Sequence, residues 1–358
     1  MKKPKICFIV NDIRWSLGTV ARNVQRQLRH KYDFVLCCAR EYPSIMEMVE
    51  ENADCDLFHF CSRFYLYPGT DEKSRQHLAA QGLDAEGWMQ KYFGCKVLTA
   101  GVYDHLLPEA ECNEYHHNCF RWMDAYYVSS RKLWDIYSQS KRWAPPTEIC
   151  QDGTDLTMFQ PKNPAHFANK IAGKNQPLVV GWAGSRWPAR HNDLKGINTL
   201  IKPAVQELRA EGVPIELLYA DAAENWLSHA EMPAFYNALD VYICASAHEG
   251  TPQPVVEAVA SGVPVVATNV GIVPEILGPL QREFILPERS IPAIKAALRR
   301  LATERHLLPQ LSAENAEFSR AWGWDEKAKN FERFFDGALG ILAKKQSSVY
   351  TKGGYHAT

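Results

Sequence analysis

Two doubly wound α/β units, each a parallel sheet wrapped by crossover helices, are what this sequence predicts. Short β-rich runs alternate with helix-periodic stretches from one end of the chain to the other, as strand–crossover–strand connections require. The runs are nearly continuously apolar, as expected where helices cover both faces of a sheet. The length, 358 residues, exceeds what a single hydrophobic core usually serves.

The first unit is expected over residues 1–160. Ile6 to Val10 and Phe34 to Cys38 read as strands, with Val20, Val24 and Leu28 at helical spacing between them. Asp56 to Phe60, Lys96 to Thr99 and Ala125 to Val128 continue the series. Pro68 to Gly94 carries Gly82, Gly87 and many charges, and reads as an irregular excursion with one helix. Residues 161–177, within a stretch rich in Pro, Asn and Lys, are the expected linker. The second unit, over 178–322, contains LVVGWAG, IELLYAD, DVYICAS and VPVVATN, each leading into a helical pattern. Asp325 to Leu342 reads as an amphipathic helix, and 323–345 is expected to pack back on the first unit. The polar residues 346–358 are expected to be a disordered tail. Two such units would face a cleft at the carboxyl ends of their sheets.

Composition narrows the function classes. Lys+Arg 40 against Asp+Glu 41 gives a net charge of -1, so nothing in the sum draws the chain to nucleic acid, which is not an expected partner. Arg22, Arg26, Arg29, His30 and Lys31 form a basic arm that reads best as a solvated helix face. No run approaches ~20 apolar residues, so no transmembrane segment is expected and any membrane contact is peripheral. MKKPKICFIVND reads as a first strand rather than a signal peptide. The cysteines lie scattered in apolar runs, as Cys7, Cys37, Cys38 and Cys244 do, with no CxxC pair. Reduced thiols and a cytoplasmic location are the expectation. Neither His116–His117 nor Cys112 with Cys119 makes a coherent ligand set, so no metal site is expected.

The chemistry concentrates in DVYICASAHEGTPQPVVEAVASGVPVVATNVGIVPEIL, Asp240 to Leu277. A buried strand is expected to end at Ser246, and a loop with Gly250 and Pro252 to turn into a helix. Pro254 suits the first turn, where its missing N–H is not needed. Gly262 ends the helix and Pro264 blocks its continuation. The helix would then aim free N–H groups and a positive dipole end at a ligand, a ready diphosphate site. Glu249 in the loop and Glu257 in the helix's first turn flank it, and a carboxylate accepts two hydrogen bonds from a vicinal diol. Such a pair can hold a ribose and a hexose on either side of the phosphates, each charge-assisted bond contributing ~1.5–3 kcal/mol. Alone, Glu249 reads as a solvated loop charge and Glu257 as a complement to the dipole. Their setting favours the ligand reading.

This segment closely resembles the signature of the retaining GT-B glycosyltransferases, family four of the glycosyltransferases, an E-x7-E pattern. The matching positions are Glu249, Gly250, Pro252, Glu257, Ala258, Ala260, Gly262, Pro264, Val265, Val266, Ala267 and Thr268. The resemblance implies that Glu249 contacts the transferred sugar and Glu257 the ribose. Gly250 and Thr251 would lie near sugar and phosphates through their backbone. VVGWAGSRWPARHNDLKG, Val179 to Gly196, resembles the family's strand-loop segment: Lys195 carries over, and the arginine before it is Arg186 or Arg190, with Arg186 preferred. DGTDLTMFQP, Asp152 to Pro161, resembles the hinge signature. ADCDLFHF matches a less specific strand pattern, and His59 reads equally well as a core histidine.

Two features depart from the family. The first loop, Asn11 to Thr19, has Gly18 where paired glycines are usual. His105, beside Asp104, is off register by a residue or two as the N-domain histidine. The resemblance implies a two-domain Rossmann-like GT-B fold and a retaining, metal-independent, hexosyltransferase-like reaction. The donor would be a UDP- or GDP-type nucleotide-sugar, with no further cofactor. The acceptor would be a carbohydrate, lipid-linked or other hydroxyl compound. The rival readings are a non-catalytic nucleotide-sugar-binding subunit, and a GT-B epimerase or phosphorylase.

Overall fold

The computed structural model describes residues 2–62, 72–104, 120, 122–141, 144–161, 165–172, 176–185 and 193–352. The chain divides into two units, Met1–Gln151 with Lys327–Thr358, and Asp152–Glu326.

The first unit holds β1 (Lys5–Val10), β2 (Asp33–Cys38), β3 (Leu57–Phe60), β4 (Val97–Val102), β5 (Ala125–Val128) and β6 (Glu148–Ile149). They form one parallel sheet in the order β2-β1-β3-β4-β5-β6. The short edge strand β6 lies outside the strands read from sequence, since two residues leave no periodicity to see. Every residue of β3, β4 and β5 is buried, the polar His59 and Thr99 included, as expected for strands covered on both faces. α1 (Ser16–Leu28) turns Val20, Ala21, Val24 and Leu28 inward, the i, i+4 stripe of an amphipathic helix. α2 (Ile45–Glu51) follows β2. The excursion expected to carry one helix holds two among its described residues, α3 (Glu72–Ala80) and α4 (Ala85–Phe93). Gly82, at φ 66°, breaks the chain after α3. Asp84 then restarts it, its carboxylate accepting from the Gly87 amide at 2.7 Å. α5 (Arg131–Ser138) begins the same way, with Ser130 as cap.

The second unit contains β7 (Leu178–Gly184), β8 (Ile215–Asp221), β9 (Val241–Cys244), β10 (Val265–Thr268) and β11 (Ile285–Leu286), parallel in the order β11-β10-β9-β7-β8. Its helices are α6 (His166–Ala172), α7 (Lys202–Ala210), α8 (Met232–Asn237), α9 (Gln253–Ala260), α10 (Val273–Ile276), α11 (Ile291–Thr303) and α12 (Leu307–Phe318). Two apolar clusters cover the sheet. Val255, Val256 and Val259 of α9 belong to one, and Val205 and Leu208 of α7 with Leu298 of α11 belong to the other. The units divide at Gln151/Asp152, ahead of the boundary expected from composition within 160–177. The reason is local packing. The Thr154 amide donates to Trp322 O at 2.8 Å, and Phe159 is buried against Tyr236, so this stretch belongs to the second unit.

α13 (Trp324–Lys352) belongs to the first unit from Lys327 onward and runs past residue 345, where the sequence reading ends it. Phe331, Phe334, Phe335, Ala338 and Leu342 form its buried stripe. Lys31 Nζ and Tyr32 Oη donate to Asp336, and the Asn330 side chain donates to Ile149 O at 3.0 Å. Phe334 and Phe335 also close an aromatic box around His59, together with Phe8 and Tyr127. His59 Nδ1 lies 3.0 Å from Thr99 Oγ1, whose hydroxyl faces Phe58 O at 3.3 Å, while Nε2 is buried without a partner among the described residues. Complete burial holds its pKa down at about 3, so it is a neutral core histidine.

Candidate functional site

The sequence around α9 folds as a strand–loop–helix whose two ends are fixed by glycines. At the far end, Gly262 adopts φ 69°; its amide bonds Val259 O and the Val263 amide bonds Ala258 O, both at 2.9 Å. This is a Schellman closure. A Cβ on Gly262 would lie 2.8 Å from Pro161 Cγ. At the near end, Gly250 O accepts from the Ile272 amide at 3.1 Å. Gly271, at φ 45°, lies so close that an added Cβ would sit 1.9 Å from Gly250 O. Backbone therefore packs on backbone beneath Glu249 and Gly250, which leaves the loop little freedom.

Glu249 and Lys195, 54 residues apart in sequence, form an ion pair. Ser246 Oγ donates to the same Glu249 oxygen at 2.8 Å. Ser246 is itself placed by Thr268, whose hydroxyl donates to Ser246 O at 2.6 Å. Burial alone would lower the Lys195 pKa, but the charge and hydrogen bond of Glu249 outweigh it and the ammonium is stabilised.

The loop that delivers Lys195 is held by Gly196, which closes the resembling segment, and by Asp193 and Arg289, for which sequence reasoning gave no role. Gly196 takes φ 72°, and a Cβ there would meet Ala245 O at 2.7 Å. Arg289 spans the join, donating from Nε to Ala245 O at 2.8 Å and from Nη2 to Asp193 O at 2.9 Å. The Asp193 carboxylate accepts from the Asn198 and Thr199 amides at 2.8 and 2.7 Å, anchoring the helical turn that follows. A signal did exist at Gly196, since glycine is the default residue where the backbone must take a left-handed conformation. Arg289 left none, because its partner carbonyls are remote in sequence.

Glu257 occupies the second turn of α9 rather than the first turn expected, since the helix opens at Gln253. It is therefore not a dipole complement on a solvated face. It is largely buried, accepts from Tyr236 Oη at 2.8 Å, and has His229 Nε2 at 3.5 Å. Burial first, and the neighbouring Glu257 charge next, push the Tyr236 phenol well above its usual range, so it remains a donor. Thr251 Oγ1 and Gln253 Nε2 are buried with no hydrogen-bond partner among the described residues, both at the opening of α9. The Val255 amide turns back to Pro252 O at 2.8 Å. A pocket of about 190 Å³ adjoins Pro254, lined by Gly184, Ala220, Ala222, Trp226 and Met232. Trp226 is 69% exposed.

Arg186, Arg190, His105, His116, His117, Cys112 and Cys119 lie outside the described residues. Among the described residues, no group of three or more His, Cys, Asp or Glu is arranged to hold a metal ion. Nor is any described helix long and apolar enough to cross a membrane. Gly18 belongs to the first unit, in the first turn of α1, where a Cβ would lie 2.2 Å from Ile13 O; it closes that loop on itself.

Residues 225–318 match the family model for glycosyl transferases group 1, a stretch that contains both Glu249 and Glu257. The MMP alpha-(1->4)-mannosyltransferase of Mycolicibacterium hassiacum is 28% identical over 172 residues, 42% of this chain and 38% of its own length. The GDP-mannose-dependent alpha-mannosyltransferase of Mycolicibacterium smegmatis is 26% identical over 225 residues, 54% of this chain and 58% of its own. The chain thus spans only about two-fifths and three-fifths of these two relatives. Sucrose-phosphate synthase of Thermosynechococcus elongatus superposes with a TM-score of 0.65 at 14% identity, over 95% of this chain and 100% of that one. Anabaena HepE in complex with UDP and glucose gives 0.65 at 13% identity, over 93% and 100%.

Proposed function

We propose that this chain, which carries the group 1 glycosyl transferase segment in a GT-B fold of two parallel-sheet units, transfers a sugar from a nucleotide-sugar donor to a hydroxyl acceptor. The carrying observation is the convergence of Lys195, Ser246 and Glu249 beside the opening of α9. Breaking a glycosyl–phosphate bond builds positive charge on the sugar and negative charge on the departing diphosphate. Lys195 supplies a fixed cation for the latter, and the amides of Gly250, Thr251 and Gln253 with the α9 dipole supply further donors. Glu249 takes hydroxyls of the transferred sugar and Glu257 those of the ribose. The partnerless Thr251 Oγ1 and Gln253 Nε2 find partners on the same ligand, which accounts for their burial. Trp226 offers its exposed face to a nucleobase in the adjoining pocket.

The acceptor oxygen attacks the anomeric carbon while the carbon–phosphate-oxygen bond breaks, and the acceptor proton passes to the leaving diphosphate. Attack on the face that the diphosphate leaves retains configuration. The donor is of UDP or GDP type, the transferred group a hexose, and the reaction uses no metal or further cofactor. Mannosyl transfer from GDP-mannose is the first donor to try, because the M. smegmatis relative is a GDP-mannose-dependent alpha-mannosyltransferase.

The test is a thermal-shift panel of UDP- and GDP-sugars on the purified chain, followed by product analysis. One donor should raise the melting midpoint in a concentration-dependent way, and should release nucleoside diphosphate faster when acceptor is added. A panel in which no nucleotide-sugar moves the midpoint would remove the reading.

A further inference from the structure

The first unit carries a second charged constellation that the transfer machinery above does not use. The order β2-β1-β3 sends the connection after β1 to one side and the connection after β3 to the other, so the topological switch point lies between β1 and β3, next to the loop that leaves β1. Ligands of doubly wound sheets bind outside the carboxyl ends of the strands at that point. The residue two past β1 is Asp12, whose carboxylate is almost wholly buried. Arg14 grips it from Nε at 3.0 Å and Nη2 at 2.7 Å, and Arg40, just past the end of β2, donates from Nη1 at 3.1 Å. The Arg14 amide also donates to Asp12, at 3.0 Å. Arg14's hydrogen bonds first, and the Arg40 charge in addition, hold the Asp12 carboxyl well below the usual carboxylate range.

One buried anion thus aligns two guanidinium groups whose side chains are 78% and 58% exposed. A guanidinium has five N–H donors. Arg14 uses its Nε and Nη2 edge on Asp12 and Arg40 its Nη1, so Nη1 of Arg14 and Nη2 and Nε of Arg40 are not engaged by that carboxylate. Two cations against one carboxylate leave a net positive charge, fixed in place before any ligand arrives. No acidic residue occupies the first turn of α1, which opens beside this loop.

We propose that Arg14 and Arg40, aligned by Asp12, form an oxyanion subsite that binds the phosphate or carboxylate of an acidic acceptor. That the ligand is the acceptor rests on the transferase reading; that the subsite binds an oxyanion does not. An uncharged acceptor would not need two guanidiniums preorganised past the carboxyl ends of β1 and β2, whereas an oxyanion matches their fork geometry bidentately.

The experiment uses the full chain and isothermal titration with three probes: hexose 6-phosphate, a hexuronate, and nucleoside diphosphate. The first two separate phosphate from carboxylate. The parent should bind one of them, with an affinity that falls as salt rises. The double variant R14Q/R40Q should weaken that binding tenfold or more and leave nucleoside diphosphate binding within twofold, while K195Q should do the reverse. R40Q alone, which leaves Arg14 holding Asp12, should show an intermediate loss and guards against misfolding of the double variant. The proposal is overturned if neither anion binds the parent, if the double variant binds it unchanged, or if the loss falls on nucleoside diphosphate instead. Anion binding with no affinity for any nucleotide-sugar would sink the transferase reading and leave the subsite standing.

Discussion

The two sheets end in loops that handle charge in opposite ways. After β9, Glu249 and Lys195 neutralise one another in a largely buried pair, over a backbone where Gly271 and Gly196 leave no room for side chains. After β1, Asp12 is the buried member, while Arg14 and Arg40 reach into solvent. The first arrangement is closed by backbone contact and has a fixed, low-entropy geometry. The second is open, and its order comes from a single carboxylate. A motif can be recognised where tight backbone packing forces particular residues at particular spacings. It is harder to recognise where long flexible side chains do the positioning.

The sharpest way to break this comparison is to remove its tight side. Glu249→Ala should reduce sugar transfer by about 10²–10³, the usual loss when one preorganised group leaves a charge-developing site. Circular dichroism should show the fold retained, and release of nucleoside diphosphate is the readout. Parent-like turnover in that variant would mean that the closed loop is scaffold only.

Next in size is an effect confined to the first unit. His59 has a pKa of about 3 when folded against an ordinary 6.5. Stability is therefore complete above 6.5 and is lost as pH falls from there toward 3, because the unfolded chain binds the proton first. By pH 4 this group alone removes about 3 kcal/mol. Urea midpoints measured between pH 4 and 7.5 should show that slope, and His59→Phe should flatten it.

Tyr236→Phe tests the second glutamate. It deprives a buried carboxylate of a donor, and should lower unfolding stability by about 1–3 kcal/mol in denaturant titration. It should also raise KM for the donor more than it changes kcat, if Glu257 serves the ribose. The smallest effect is expected where an ion pair is only surface. Lys295 bridges Glu207 and Glu211 at 2.6 and 2.7 Å, yet Lys295→Ala should shift the melting midpoint by no more than about 2 °C. A large shift there would erase the distinction between site and scaffold ion pairs.

Local patterning of the chain was enough to read the alternation of strands and helices, the buried character of β1, β3, β4, β7 and β10, and the strand–loop–helix around Glu249. Each follows from local periodicity or from a glycine or proline whose backbone demands are fixed by the residue itself. It took the folded chain to place Glu257 one turn deeper against Tyr236, to lock the Lys195 loop with Arg289, and to pair Asp12 with Arg14 and Arg40. Tertiary packing likewise decided that Asp152 to Pro161 joins the second unit and that α13 covers His59 in the first. The reason is physical: these partners are brought together by long-range closure of the chain. A side chain's bonding depends on what arrives next to it, and spacing along the sequence carries no record of that.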